Sequence, residues 1–143
     1  MAIVAANWDR VMVSMTGTEK INIAIVDDDA SLCQAMDRLL RAAGFQPFTY
    51  PSAEAFLQDG PCARPDCILL DIQLGGMSGF ELQNVLVASG STTPIIFITA
   101  YDDPEIREQA RQTHCSAYLR KNDPGEVVLE AIRRAVHLDK ANV

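Results

Sequence analysis

From Ile21 onward the chain alternates short apolar runs with longer stretches in which apolar residues recur every three or four positions. The runs are INIAIV (21–26), FQPFTY (45–50), CILL (67–70), PIIFIT (94–99) and SAYLR (116–120). This alternation predicts parallel strands joined by covering helices. Leu32, Ala35, Met36, Leu39 and Ala43 trace one helical face, and Gly44 is placed to end that helix. Further helices are predicted after Ser52, Ser78, Asp103 and Asp123. Asp123-Pro124-Gly125-Glu126 offers an N-cap, a proline at the first helical position and an acid to close a capping box, and Asp103-Pro104 repeats the first two elements. Between Asp103 and Thr113 only Ile106 and Ala110 lie on an apolar face, so that helix should be the most exposed and the most loosely held.

Strands buried on both faces read as continuous apolar runs, which places INIAIV, CILL and PIIFIT in the centre of the sheet. FQPFTY contains Pro47, which cannot donate a ladder hydrogen bond and belongs at an edge; the short, mixed SAYLR suits the other edge. With right-handed crossovers, the simplest arrangement is a doubly wound α/β sheet of order 2-1-3-4-5. In such a sheet the functional crevice lies beyond the carboxyl ends of the strands, between the first and third, where the order reverses.

Composition narrows the classes of function. The 143 residues suit one domain, and a hydrophobic content of 48% suffices for one core. A net charge of −7 without a basic stripe argues against direct nucleic-acid binding. Cys33, Cys62, Cys67 and Cys115 form no C-x-x-C pair and read as reduced core residues of a cytoplasmic protein. His114 and His137 lie far apart with no ligand pattern. Residues 1–19 read as a short extension whose apolar patches are interrupted by Asp9 and Arg10, without the basic start of a signal peptide or the length of a membrane span; a translation start at Met15 would shorten it. The domain is expected over residues 20–139, with a tail at 140–143.

Polar residues converge on the predicted crevice. Asp27 and Asp28 end the first strand, Asp71 the third, Thr99 the fourth and Lys121 the fifth. Taken singly, each has a plain reading: Asp29 as a helix cap, Thr99 as a strand-end hydroxyl, Lys121 as a solvated cation. Asp71 fits the cap role poorly, because Ser78, beyond the loop Gly75-Gly76-Met77, is the better cap for the next helix. Two carboxylates about 4 Å apart repel by roughly 4 kcal/mol at an effective dielectric near 20, so three clustered acids need a cation. Hard oxygen ligands without local His or Cys favour Mg²⁺ over zinc. With Mg²⁺ present, a carboxylate could accept a phosphoryl group whose oxygens Thr99 and Lys121 help to neutralise.

The segments IVDDDA, LLDIQLGGMSGFEL, FITAYDD and AYLRK resemble, in order and spacing, the signature segments of response-regulator receiver domains, from about Lys20 to Asp139. The resemblance implies a flavodoxin-like (βα)5 fold and a regulatory phosphoacceptor that catalyses only its own phosphorylation and dephosphorylation. It implies Asp71 as phosphoacceptor, Asp28 and Asp71 as direct Mg²⁺ ligands, Asp27 acting mainly through water, and the Gln73 backbone carbonyl as a further ligand. Thr99 and Tyr118 would form a switch pair, Lys121 would pair with the phosphoryl group or Asp71, and Gln73 and Tyr101 would tune the lifetime of the acyl phosphate. A sensor histidine kinase or histidine phosphotransfer protein would supply the phosphoryl group, and a protein partner would read the surface of the fourth helix, fifth strand and fifth helix; homodimerisation stays open.

Two positions depart from the family pattern. Asn122 follows Lys121 where the family usually has proline, which predicts a trans peptide and a rearranged loop. Gly75 stands where proline is common, which predicts a more mobile loop. Two rival functions are a Mg²⁺-dependent aspartyl phosphatase and the regulatory half of a DNA-binding regulator. The first expects a D-x-D-x-T nucleophile on the first strand, whereas Ala30 and Ser31 follow Asp29 here. For the second, the residues after Val136 are too few for a helix-turn-helix, so for a gene product ending there output is expected through protein contacts.

Overall fold

The computed structural model describes residues 20–141; the extension, the alternative start at Met15 and Asn142-Val143 lie outside the described residues. Strands and helices alternate as β1 (Asn22–Val26), α1 (Ala30–Ala42), β2 (Gln46–Tyr50), α2 (Ala53–Ala63), β3 (Cys67–Asp71), α3 (Gly79–Ala88), β4 (Ile95–Thr99), α4 (Pro104–Gln112), β5 (Ala117–Arg120) and α5 (Gly125–Ala141). The strands form one parallel sheet of order β2-β1-β3-β4-β5, as the apolar runs predict.

Every residue of β3 and β4 is buried, and Pro47 lies on edge strand β2 opposite Ile23. Alternate side chains fill the two faces of the sheet. On one face Ile23, Ile25, Leu69, Ile96 and Ile98 pack with Met36 and Leu40 of α1 and Val128 and Ile132 of α5. On the other, Ala24, Val26, Ile68, Leu70 and Phe97 meet Phe56 of α2, Leu82 of α3 and Ala110 of α4. Ala110 is the one buried residue of α4, with Ile106 half-buried, so this helix is held as lightly as its sequence predicts.

Local capping sets the helix starts that aim the loops. Asp29 accepts hydrogen bonds from the Ser31 and Leu32 N–H groups at 3.0 and 3.2 Å. Ser78 and Glu81 form a reciprocal capping box, and Asp103 accepts from Glu105 N–H at 2.8 Å ahead of Pro104. The cap predicted at Asp123 is not formed. Its carboxylate turns back to accept from Arg120 N–H at 2.9 Å while its own N–H donates to the Arg120 carbonyl at 3.0 Å. These reciprocal bonds close the β5–α5 turn and leave Pro124 to receive the N–H groups of Val127 and Val128. The Lys121–Asn122 peptide is trans, as expected. Among the described residues, no helix is long and apolar enough to cross a membrane.

Candidate functional site

The ends of β1, β3, β4 and β5 bring together the residues that the topology predicts. Asp27 follows β1 and is only 1% exposed. Its N–H donates to the Tyr50 carbonyl at 3.0 Å, so the end of β2 fixes its backbone. Its Oδ1 accepts from Asp29 N–H at 2.9 Å and from the Lys121 ammonium at 3.2 Å. Oδ2 lies 3.0 Å from that ammonium yet accepts no hydrogen bond. Asp71, the last residue of β3, accepts from Gln73 N–H at 3.1 Å on Oδ1 and from Lys121 at 3.1 Å on Oδ2. Asp28 is exposed, and one oxygen from each of Asp27, Asp28 and Asp71 falls within a mutual 4.8 Å.

The electrostatics follow from this packing. Burial, then the Asp27 carboxylate, raises the Asp71 pKa from 3.8 to about 6, against the opposing pull of Lys121 and Gln73 N–H. Burial disfavours the charge on Lys121, but Asp27 and Asp71 outweigh it and hold the ammonium above its ordinary pKa. Two carboxylates pair with one ammonium, a third lies beside them at the rim, and one buried oxygen has no hydrogen bond. That donor set fits a hard divalent cation such as Mg²⁺. Cys33 lies beside the site, where its thiol donates to the Asp27 carbonyl at 3.4 Å. Burial and the neighbouring acids push its pKa up to about 11, so the thiol stays protonated at neutral pH.

Thr99 ends β4 at the same edge, but its hydroxyl is engaged by the following loop: it donates to the Tyr101 carbonyl at 3.2 Å and accepts from Tyr101 N–H at 3.1 Å. The Tyr101 side chain is 64% exposed. Tyr118 lies beside Phe97 in the β4–β5 register, and its hydroxyl is 3.5 Å from Asp102, not at Thr99.

The sequence matches the profile of the response regulator receiver domain over residues 23–133. The chain belongs to that family. It is 34% identical over 116 residues to the response regulator protein TmoT of Ectopseudomonas mendocina, covering 81% of this chain and 53% of TmoT. It is 30% identical over 118 residues to the transcriptional regulatory protein TdiR of Thauera aromatica, covering 82% and 52%. The chain thus spans about half the length of the curated relatives it matches. Among solved structures, the Vibrio cholerae chemotaxis protein CheY4 superposes with a TM-score of 0.74 at 27% identity, over 82% of this chain and 99% of that one.

Two contacts of this receiver domain are not evident from its sequence. A Cβ on Gly79 would lie 2.4 Å from the Asp71 carbonyl oxygen, so only glycine lets α3 start against the end of β3. Glu54 of α2 accepts from Met77 N–H at 3.2 Å, tying down the loop after Asp71.

The raised Asp71 pKa has a thermodynamic consequence. Between pH 3.8 and about 6 the folded domain retains a proton that the unfolded chain releases, so stability is lost as pH rises through this window. Asp71→Asn is therefore expected to stabilise the metal-free domain at neutral pH by about 1–2 kcal/mol, allowing for water access to the site. The difference should close below about pH 4. Urea midpoints in chelator test this, and equal midpoints at neutral pH would contradict it.

Proposed function

We propose that this receiver domain is a Mg²⁺-dependent switch that takes up a phosphoryl group on Asp71. The observation that carries the reading is the convergence of Asp27 and Asp71, both almost fully buried, on the Lys121 ammonium, with Asp28 at the rim. Asp28, Asp71 and the Gln73 carbonyl would hold Mg²⁺ directly and Asp27 mainly through water. Bound there, the ion would supply positive charge against the carboxylates and the incoming phosphoryl oxygens.

Asp71 has the environment of an aspartyl nucleophile: one oxygen is oriented by Gln73 N–H and the other by Lys121. With a phosphohistidine donor, an Asp71 oxygen forms a bond to phosphorus as the phosphorus–nitrogen bond breaks. The electron pair of that bond leaves with the imidazole, which is neutralised by a proton. Lys121 is placed to exchange its Asp71 contact for a phosphoryl oxygen. The added group carries nearly two negative charges and three acceptor oxygens, which favours transfer of the Thr99 hydroxyl from the Tyr101 carbonyl to the phosphoryl group. Tyr118 follows, altering the α4–β5–α5 surface that a protein partner reads. Gln73 and Tyr101, both exposed beside the site, are placed to govern water access and thus the lifetime of the acyl phosphate.

The donor in this reading is a sensor histidine kinase or a histidine phosphotransfer protein. A second reading, in which the receiver governs DNA-binding output, is favoured by the description of TdiR as a transcriptional regulatory protein. Incubation with a labelled small acyl phosphate should label the wild type in Mg²⁺, leave it unlabelled in chelator, and leave Asp71→Asn unlabelled in both. Labelling that survives either chelation or Asp71→Asn contradicts the reading.

A further inference from the structure

The α4–β5 face carries a charged junction that the phosphorylation site does not use. Asp102, in the loop between β4 and α4, accepts from Arg107 Nε at 3.2 Å and pairs with Arg107 Nη2. It lies 3.7 Å from Arg120 Nη1 of β5, and Arg120 in turn pairs with Asp123 at 3.4 Å. The Tyr118 hydroxyl is 3.5 Å from Asp102, and the Arg107 guanidinium stands 6.0 Å from the centre of the Tyr118 ring. One carboxylate thus joins loop, helix and strand at the tip of a tyrosine. Beyond this junction, α4 is anchored by buried Ala110 and half-buried Ile106. The charges reinforce one another: Arg107 holds Asp102 below the usual carboxylate range, and Asp102 holds Arg107 above its own ordinary value.

We propose that Asp102 is a positioning residue for the switch: clamped by Arg107 and Arg120, it holds Tyr118 and α4 in the unphosphorylated arrangement and must release Tyr118 before that side chain can follow Thr99. This rests on the reading of Tyr118 as the residue that reports phosphorylation. Linkage then fixes the direction of the effect. If phosphoryl uptake favours release of the junction, weakening the junction must favour phosphoryl uptake by the same factor. The contacts are partly exposed and screened, so a modest factor is expected.

The test uses the full chain with Mg²⁺ and beryllofluoride, a non-covalent stand-in for the phosphoryl group, and fluorotyrosine placed at position 118. Asp102→Asn and Arg107→Gln should each bind beryllofluoride about twofold to fivefold more tightly than wild type. Asp102→Glu, which keeps the charge, should stay near wild type. In metal-free protein the fluorine resonance at position 118 should shift in both charge-removing variants and, at high salt, in the wild type. Unchanged or weaker beryllofluoride binding in both variants overturns the proposal, as does a resonance that ignores both substitutions. If the wild type binds no beryllofluoride, the phosphoacceptor reading fails and the resonance alone decides the role of Asp102.

Discussion

Lys121→Met is expected to destabilise the metal-free domain by about 2–4 kcal/mol at neutral pH. Lys121 is the cation that touches both buried carboxylates, at 3.0 Å from Asp27 and 3.1 Å from Asp71. Methionine approximates the length of the aliphatic stem, so lost packing is small and the cost is chiefly that of leaving two buried acids facing each other. Proton uptake by Asp71 limits that cost, because its pKa, already about 6, would rise further without the ammonium. The penalty should therefore shrink as the medium is acidified. Mg²⁺ should return most of the lost stability and so raise the melting temperature of the variant more than that of the wild type. Thermal unfolding with and without the ion, at neutral and acidic pH, measures each part. A variant as stable as the wild type in chelator at neutral pH would show that the acids do not depend on Lys121.

A comparably large effect is expected from adding one methyl group at Gly79. The new Cβ would lie 2.4 Å from the Asp71 carbonyl oxygen and 2.9 Å from the Ile72 Cα, both backbone atoms of the strand end. No rotamer change relieves a clash with backbone, so α3 must move away from β3 and weaken the Gly79 N–H bond to the Ile72 carbonyl, now 3.0 Å. Gly79→Ala should cost about 3 kcal/mol. Gly75→Ala is the matched control, because a Cβ there meets nothing within 4 Å. Urea denaturation of the two variants should place Gly79→Ala far below wild type and Gly75→Ala close to it; equal midpoints would refute the packing argument.

The central strands and their order are legible because Ile23–Val26, Cys67–Leu70 and Ile95–Ile98 are buried on both faces and Pro47 can only sit at an edge. The caps at Ser78 and Asp103 are legible because their partners lie within three residues. Asp123 offers the same local pattern, but the strand end captures its carboxylate first. Asp27, Asp71, Thr99 and Lys121 can be placed at one edge once strand order is known. What each hydroxyl or carboxylate touches there cannot. Thr99 is engaged by the Tyr101 backbone, Glu54 reaches Met77 across 23 positions, and Asp102 reaches Tyr118 across 16. Such contacts depend on loop paths, for which sequence periodicity carries no signal. The crowding at Gly79 is hidden for the same reason, since within the sequence it is one of several glycines in a loop.

The position of the phosphoryl group itself decides whether Asp71 is the phosphoacceptor. Reduction of the phosphorylated chain with borohydride converts an aspartyl phosphate to homoserine, and peptide mass analysis then locates the altered residue. Homoserine is expected at position 71 and at no other aspartate. Homoserine at Asp27 or Asp28, or an unaltered chain after demonstrated phosphoryl uptake, would contradict it.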